Sequence, residues 1–319
     1  MSLTNKKMIQ VSVIIPVKND LSGIQRLVGS LRQQTVPHEL IVVDNGSTDG
    51  TLEFLESQGI RLLNGPGLTV GSLRNRGVEI STGIYIAFAD SDHEVGPDWL
   101  EKGREVLDSN PDIVACGAHY LPPANGTWVQ KSWAIHRLRN TDSKEVEWLA
   151  SGNLFVRREK FLEIQGFNES LIAAEDVDLC HRLRVKGGKV FHDPGIASIH
   201  HGEASTVKHF IRKEWWRGSS GIRAWISQRF PIREVPSLIW PLWHLVFCLI
   251  FMIAPAICFL NLSFFTALGV VLLLLLLWVA PSILLAIQVG SGTGIIRIAQ
   301  LAFLYFLYGT TRGWALFRN

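Results

Sequence analysis

The chain has 319 residues, room for a domain of ordinary size and something more. Lys and Arg number 31 against 28 Asp and Glu, and a net charge of +3 argues against nucleic acid as the partner. The four cysteines, Cys116, Cys180, Cys248 and Cys258, form no CxxC spacing, which argues against a disulfide framework or zinc site and suits a reducing compartment.

The run Met8 to Val17 is too short for a signal peptide and, ending in "VSVIIPV", reads as a buried strand. Asn19-Asp20 is a helix cap, followed by apolar residues at helical spacing, Leu21, Ile24, Leu27, Val28 and Leu31. "ELIVV" is a second strand that stops at Asp44, and Asp49 in the turn "DNGSTDGT" is expected to cap a helix carrying Leu52, Phe54 and Leu55. "IRLL" is a third strand. Val70, Leu73, Gly77 and Ile80 give a helical face, and "GIYIAF" is a fourth strand running into Asp90-Ser91-Asp92. Alternating strands and helices predict an α/β layer with a largely parallel sheet, in which ligands bind at the carboxyl ends of the strands. Val17 to Asp20, Asp44-Asn45 and Asp90-Ser91-Asp92 all fall at such ends.

Further on, "AAEDVDL" places Glu175 and Asp176 at the start of a helix. Between Lys208 and Arg233 there are seven Lys or Arg and one acid, Glu214, interleaved with Trp215, Trp216 and Trp225, the composition of a segment resting at a membrane surface. From Leu238 onward acidic residues vanish. Residues 238–260 and 264–289 are apolar on every side and long enough to span a bilayer; 295–311, which is shorter and carries Arg297 and Gln300, is expected to be a third span, with a helix lying in the interface as the alternative. Positive residues before the first span predict that the preceding domain faces the cytoplasm.

Three acidic turns on one rim repel each other unless a cation lies among them. Carboxylates two positions apart, as in Asp90 and Asp92, suit a hard divalent ion such as Mg²⁺ or Mn²⁺ with open positions for phosphate oxygens.

Taken in order, "VSVIIPVKND", "LIVVDNGSTDGT", "GLTVGSLRNRGVEISTGIYIAFADSD", "SGNLFVRREKFLEIQGFNE" and "AAEDVDLCHRL" resemble glycosyltransferase family 2, from about Val11 to Gly202. The resemblance implies a GT-A nucleotide-sugar domain over 8–206, followed by the basic interfacial segment 207–236 and a membrane region 237–319. The last helices, with "YGTTRGW", look like membrane-attached members that build exopolysaccharide or O-antigen repeats, of the succinoglycan type.

By this resemblance, Pro16, Val17, Asn19 and Asp44 would meet the nucleotide, with Arg74 reaching the base or diphosphate and Asn75 shaping that wall. Asp90 and Ser91 would meet the ribose or the water shell of the metal, and Gly152 and Asn153 the donor sugar. Asp92 is implied as the Mn²⁺ or Mg²⁺ ligand, with His200 in "IASIHHG" as a further ligand. Asp176, beside Glu175, is implied as the general base. Two departures are Leu73, where relatives have alanine, and Asn45, where a second aspartate is often found. The "QxxRW" element of processive synthases is absent, so transfer of single sugars is expected. The function implied is inverting, metal-dependent transfer from a nucleoside-diphosphate sugar, a UDP-sugar by family tendency, to a polyprenyl-type lipid-linked acceptor at the cytoplasmic membrane face. The alternatives are a nucleotidyltransferase on a similar fold, or a catalytically silent subunit that binds nucleotide-sugar.

Overall fold

A computed structural model describes residues 10–138, 142–227 and 235–316. Met8, Arg229, Arg233 and Arg318 lie outside the described residues, as do the side chains of Arg223 and Trp225. The chain divides into two compact units, one formed by 1–123 with 140–203 and the other by 124–139 with 204–319.

The first unit alternates strands and helices: β1 Val11–Val17, α1 Leu21–Leu31, β2 His38–Asp44, α2 Thr51–Ser57, β3 Arg61–Asn64, α3 Val70–Glu79, β4 Tyr85–Ala89, β5 His93–Val95, α4 Trp99–Ser109 and β6 Ile113–Gly117. The chain then leaves for the second unit with α5 Trp128–Arg137, and returns as β7 Lys144–Val146, β8 Asn153–Arg157, α6 Arg158–Glu163, α7 Glu175–Val185, β9 Lys189–His192 and β10 Ser198–His200. Eight strands form one sheet in the order β3-β2-β1-β4-β8-β6-β9-β7. The pairings from β3 to β4 are parallel, and β8 enters antiparallel between β4 and β6. This is the mixed, mostly parallel α/β architecture of the GT-A type that the sequence predicts.

Every residue of β1 is buried, because helices cover both faces of the sheet and leave no position facing water. Val13 and Ile15 pack with Ile24, Leu27 and Leu31 of α1 and with Trp99 and Leu100 of α4. Ile14, pointing the other way, packs with Leu73 and Val78 of α3 and with Leu179 and Leu183 of α7. Strand β4 starts at Tyr85 rather than Gly83, since the Gly83 amide donates to the Ser12 hydroxyl at 2.8 Å instead of to a neighbouring strand. The cap expected at Asp49 also differs. Gly50 is the N-cap of α2, while Asp49 accepts from the Leu21 amide opening α1, at 3.0 Å, and from the Thr51 amide, at 3.2 Å. One carboxylate thus closes the starts of two helices. Asp20, as expected, caps α1 by accepting from the Gly23 amide at 3.1 Å.

The second unit contains α5, α8 Val207–Ser227, α9 Val235–Asn261, α10 Phe264–Val289 and α11 Ile295–Ala315. Helix α5 opens with a capping box between Thr127 and Gln130. In α8, Phe210 and Glu214 face inward, with Glu214 held by Arg217 at 2.9 Å and Arg312 at 2.8 Å; Lys208, Arg212, Trp215 and Trp216 are exposed. Residues 239–261 and 264–289 are long and apolar enough to cross a membrane. Helix α11, which contains the expected third span, is not among the helices that are, and it buries Leu301, Leu304 and Tyr305.

At the start of β8, Asn153 ties three elements together. Its amide oxygen accepts from Trp99 Nε1 at 2.8 Å, and its amide nitrogen donates to the carbonyls of Ile196 at 2.9 Å and Ala118 at 3.3 Å. Asn153→Ala strands a buried indole N–H and two buried carbonyls, each unsatisfied group costing about 1–3 kcal/mol. The urea midpoint of the variant is expected to fall clearly below that of the wild type.

Candidate active site

The carboxyl ends of β1, β2 and β4 frame a cleft of about 300 Å³ lined by Pro16, Val17, Lys18, Asn45, Val70, Leu73, Asp90, Ser91 and Asp92. Five of these, Pro16, Val17, Asp90, Ser91 and Asp92, are contacts to nucleotide-sugar or metal that the resemblance implies. Asp44 lies at the end of β2, 1% exposed; its Oδ2 accepts from the amides of Gly46 at 2.7 Å and Ser47 at 2.9 Å, while its buried Oδ1 has no protein donor. A ligand N–H is the kind of group such an oxygen lacks. Asn45 accepts from Gly67 N at 2.7 Å and donates to Leu68 O at 3.1 Å. An aspartate there would lose the second bond, which is a physical reason for the departure from the family pattern.

Asn19 and Asn75 hold the cleft walls. Asn19, with φ of 49°, accepts from Thr48 N at 2.8 Å and its own amide donates to Ser47 Oγ at 2.8 Å, joining the loops after β1 and β2. Asn75 makes a two-way pair with the Phe167 backbone, both bonds 2.9 Å. Ser91 donates to Asp20 Oδ2 at 2.7 Å, which fixes the turn after β4 against α1. Asn153, expected beside the donor sugar, is 0% exposed with its amide engaged in the core, so its side chain does not face open space. Gly152 does border Asp90: a Cβ there would come within 2.5 Å of Asp90 Oδ2.

Arg74 is 2% exposed, with Nη2 2.6 Å from Asp90 Oδ1 and Nη1 3.0 Å from Glu175 Oε1. Its guanidinium lies 5.5 Å from the Phe167 ring centroid. Burial works against its charge, but Asp90 and Glu175 outweigh that and hold it protonated. The side chain expected to reach the nucleotide therefore bridges a carboxylate of the cleft to the acidic start of α7. There Glu175 also accepts from Ser151 Oγ at 3.4 Å, and the half-buried Asp176 accepts from the Val177 amide at 2.8 Å. Burial first, and the Glu175 charge second, push the Asp176 carboxyl up to about 7.

The antiparallel pairing of β5 with β10 sets His93 opposite His200. With Asp92 they form a cluster whose ligand atoms lie within 4.8 Å of one another. Nε2 of His200 is 3.1 Å from Asp92 Oδ2, and Nε2 of His93 is 3.8 Å from Asp92 Oδ1. Burial lowers His93 to about 4, leaving a neutral imidazole. For His200 burial pulls downward, but the bonds to Asp92 and Glu203 prevail and raise it. One carboxylate and two imidazoles are a donor set suited to Mn²⁺ and similar divalent ions. His93 was not singled out in the sequence, although it directly follows Asp92; its role depends on a pairing with residues more than a hundred positions away. Lys18, exposed on the cleft, also went unassigned; its signal was its place immediately after β1.

Comparison with known proteins bears on the family and the fold. Residues 12–166 match the family Glycosyl transferase family 2. The chain is 29% identical over 247 residues to "Glycosyltransferase AglE" of Haloferax volcanii, covering 74% of this chain and 80% of that protein. It is also 29% identical to "Pre-mycofactocin glycosyltransferase" of Mycobacterium tuberculosis, covering 72% of this chain but only 50% of that one. Among solved structures, a mannosyltransferase of Pyrobaculum calidifontis in complex with GDP-Man and Mn²⁺ shares the fold, with TM-score 0.58 and 16% identity over 96% of this chain and 87% of that one. The chain thus carries a glycosyltransferase family 2 domain and is a glycosyltransferase.

Proposed function

We propose that the protein is an inverting, divalent-cation-dependent transferase that moves a single sugar from a nucleoside-diphosphate sugar to a lipid-linked saccharide. The observation that carries this is Asp92, which both lines the 300 Å³ cleft and belongs to the carboxylate–imidazole cluster with His93 and His200. A cation held there would offset charge on the departing diphosphate as a Lewis acid. Asp44, with its unpaired Oδ1, would accept from the base N–H. Pro16, Val17 and the exposed Lys18 would flank the nucleotide, and Asp90 and Ser91 the ribose. Asn19, Asn75 and Arg74 would shape these walls rather than touch the ligand, through the bonds they make within the protein.

Asp176 would take the proton of the acceptor hydroxyl while its oxygen attacks the anomeric carbon and the bond to the diphosphate breaks. One displacement of this kind inverts the centre and needs no covalent nucleophile. A carboxyl with a pKa of about 7 is a stronger base than an ordinary aspartate and is still about half ionised at pH 7. Two helices of membrane-spanning length, with the exposed Trp215 and Trp216 and basic residues of α8, support an acceptor held in a membrane and a role in cell-surface polysaccharide synthesis. We place the first unit on the cytoplasmic side by the basic residues preceding α9.

Calorimetric titration with UDP, GDP and dTDP, each with Mn²⁺ and with EDTA, tests the donor site. One diphosphate is expected to bind in a Mn²⁺-dependent manner, and Asp92→Ala to abolish that dependence; binding that ignores both would refute the reading. Asp176→Asn is expected to bind donor normally and transfer none. In the wild type, transfer should decline as pH falls through about 7, because the base then acquires its proton. Arg74→Met would leave Glu175 buried without its cation, at about 3–5 kcal/mol, while the more exposed Asp90 contributes less. A large drop in urea midpoint, partly restored in Arg74→Lys, is the outcome expected.

A further inference from the structure

We infer that Glu203 is a positioning residue for the divalent-cation site: its carboxylate, set against the Nδ1 edge of His200, holds the ring with Nε2 directed at Asp92. This rests on the cation reading proposed above. The backbone around His200 is pinned on two sides. Its amide donates to Leu121 O at 3.0 Å, and the next amide, of His201, donates to Asp92 O at 2.9 Å. What remains to be set is the orientation of the ring and which nitrogen carries the proton.

Glu203 Oε1 lies 3.3 Å from His200 Nδ1, on the opposite side of the ring from Asp92 Oδ2, which is 3.1 Å from Nε2. The contact has ion-pair distance without the alignment of a hydrogen bond; a carboxylate on that edge favours a proton on Nδ1, which would free Nε2 for a cation. Both side chains are shielded, His200 10% and Glu203 12% exposed, so water competes little for this contact. The residue between them makes room for the arrangement. A Cβ at Gly202 would come within 1.7 Å of Asp92 Oδ2 and 3.2 Å of His200 Nε2, so any larger residue would displace the carboxylate. His201, for its part, turns to Glu94 at 2.8 Å and leaves the cluster to its neighbour. In "HHGE" the first histidine meets the cation, the glycine opens the space and the glutamate orients the ring.

The test is Mn²⁺ affinity of the full-length protein, read by electron paramagnetic resonance of free Mn²⁺ without nucleotide, for wild type, His200→Ala, Glu203→Ala and Glu203→Gln. Thermal midpoints are measured alongside in EDTA. Glu203→Ala is expected to weaken Mn²⁺ binding about 10- to 100-fold while it still unfolds in a single cooperative transition in EDTA. Glu203→Gln, which keeps an acceptor oxygen for Nδ1, should lose less. If His200→Ala weakens Mn²⁺ and Glu203→Ala does not, or if glutamine is no better than alanine, the positioning role is refuted. If His200→Ala also binds Mn²⁺ as tightly as wild type, the cation reading itself fails.

Discussion

A guanidinium buried between two acidic elements organises the catalytic unit. Arg74 contributes one nitrogen to Asp90 at the end of β4 and another to Glu175 at the start of α7. The desolvation of such a cation is severe, and two carboxylates with a nearby Phe167 ring are what make its burial tolerable. The fork geometry matters. A lysine could carry the charge, but a point charge cannot direct parallel N–H groups at two carboxylates on different elements. Through Arg74 the position of the β4 turn, and with it Asp92, is mechanically tied to the helix that carries Asp176.

The same bridge explains how an acidic rim can be assembled without flying apart. Asp44 is neutralised locally by backbone amides, Asp90 by Arg74, and Asp92 faces two imidazoles. Each carboxylate thus has its own solution, and they differ in what they leave available. Asp44 keeps one unpaired oxygen, whereas the cluster at Asp92 keeps a geometry that a cation can enter. At α7 the two acids diverge: Arg74 and Ser151 occupy Glu175, while Asp176, pressed by burial and by the Glu175 charge, gains basicity. Adjacent residues in one helical turn therefore differ: Glu175 is taken up in a structural pairing, and Asp176 is left as the one we propose for proton transfer.

Much of this was legible in the chain because it is local. Strand β1 is an unbroken β-branched run, and α1 shows its apolar spacing openly; the acids that end β2 and β4 follow directly from where the strands stop. What was not legible depends on contacts far apart in sequence. Arg74 reads as a helix-surface cation until α7 folds beside it, and His93 reads as a strand residue until β10 pairs with β5. Asn153 looks like a loop residue near the sugar, but the Trp99 indole calls it inward. Helix α5 sits between strands of the first unit and yet packs with the second, through Trp133 against Phe210 and Tyr305. Nothing in its own ten residues declares that allegiance.

The second unit inverts the usual distribution of polarity. Its interior holds His244, 0% exposed, which accepts from Trp278 Nε1 at 3.1 Å, and Glu214, clasped by Arg217 and Arg312. Its exterior on α10 presents Leu272, Leu276 and Leu284, exposed by 55%, 60% and 66%. In water such a surface would drive aggregation, and each buried polar contact would gain only about 0.5–1.5 kcal/mol over solvation. In hydrocarbon both choices become favourable: apolar side chains meet lipid, and polar ones must find partners within the helices. Within a membrane helix α10 would have no aqueous face to maintain, which suits its apolar surface, and the polar contacts of α8, α9 and α11 would give the helices a register that leucine packing alone would leave undetermined. Those contacts join α8 and α11, whose inward acid and cations hold the basic, tryptophan-bearing helix against its own unit rather than leaving it to the surface.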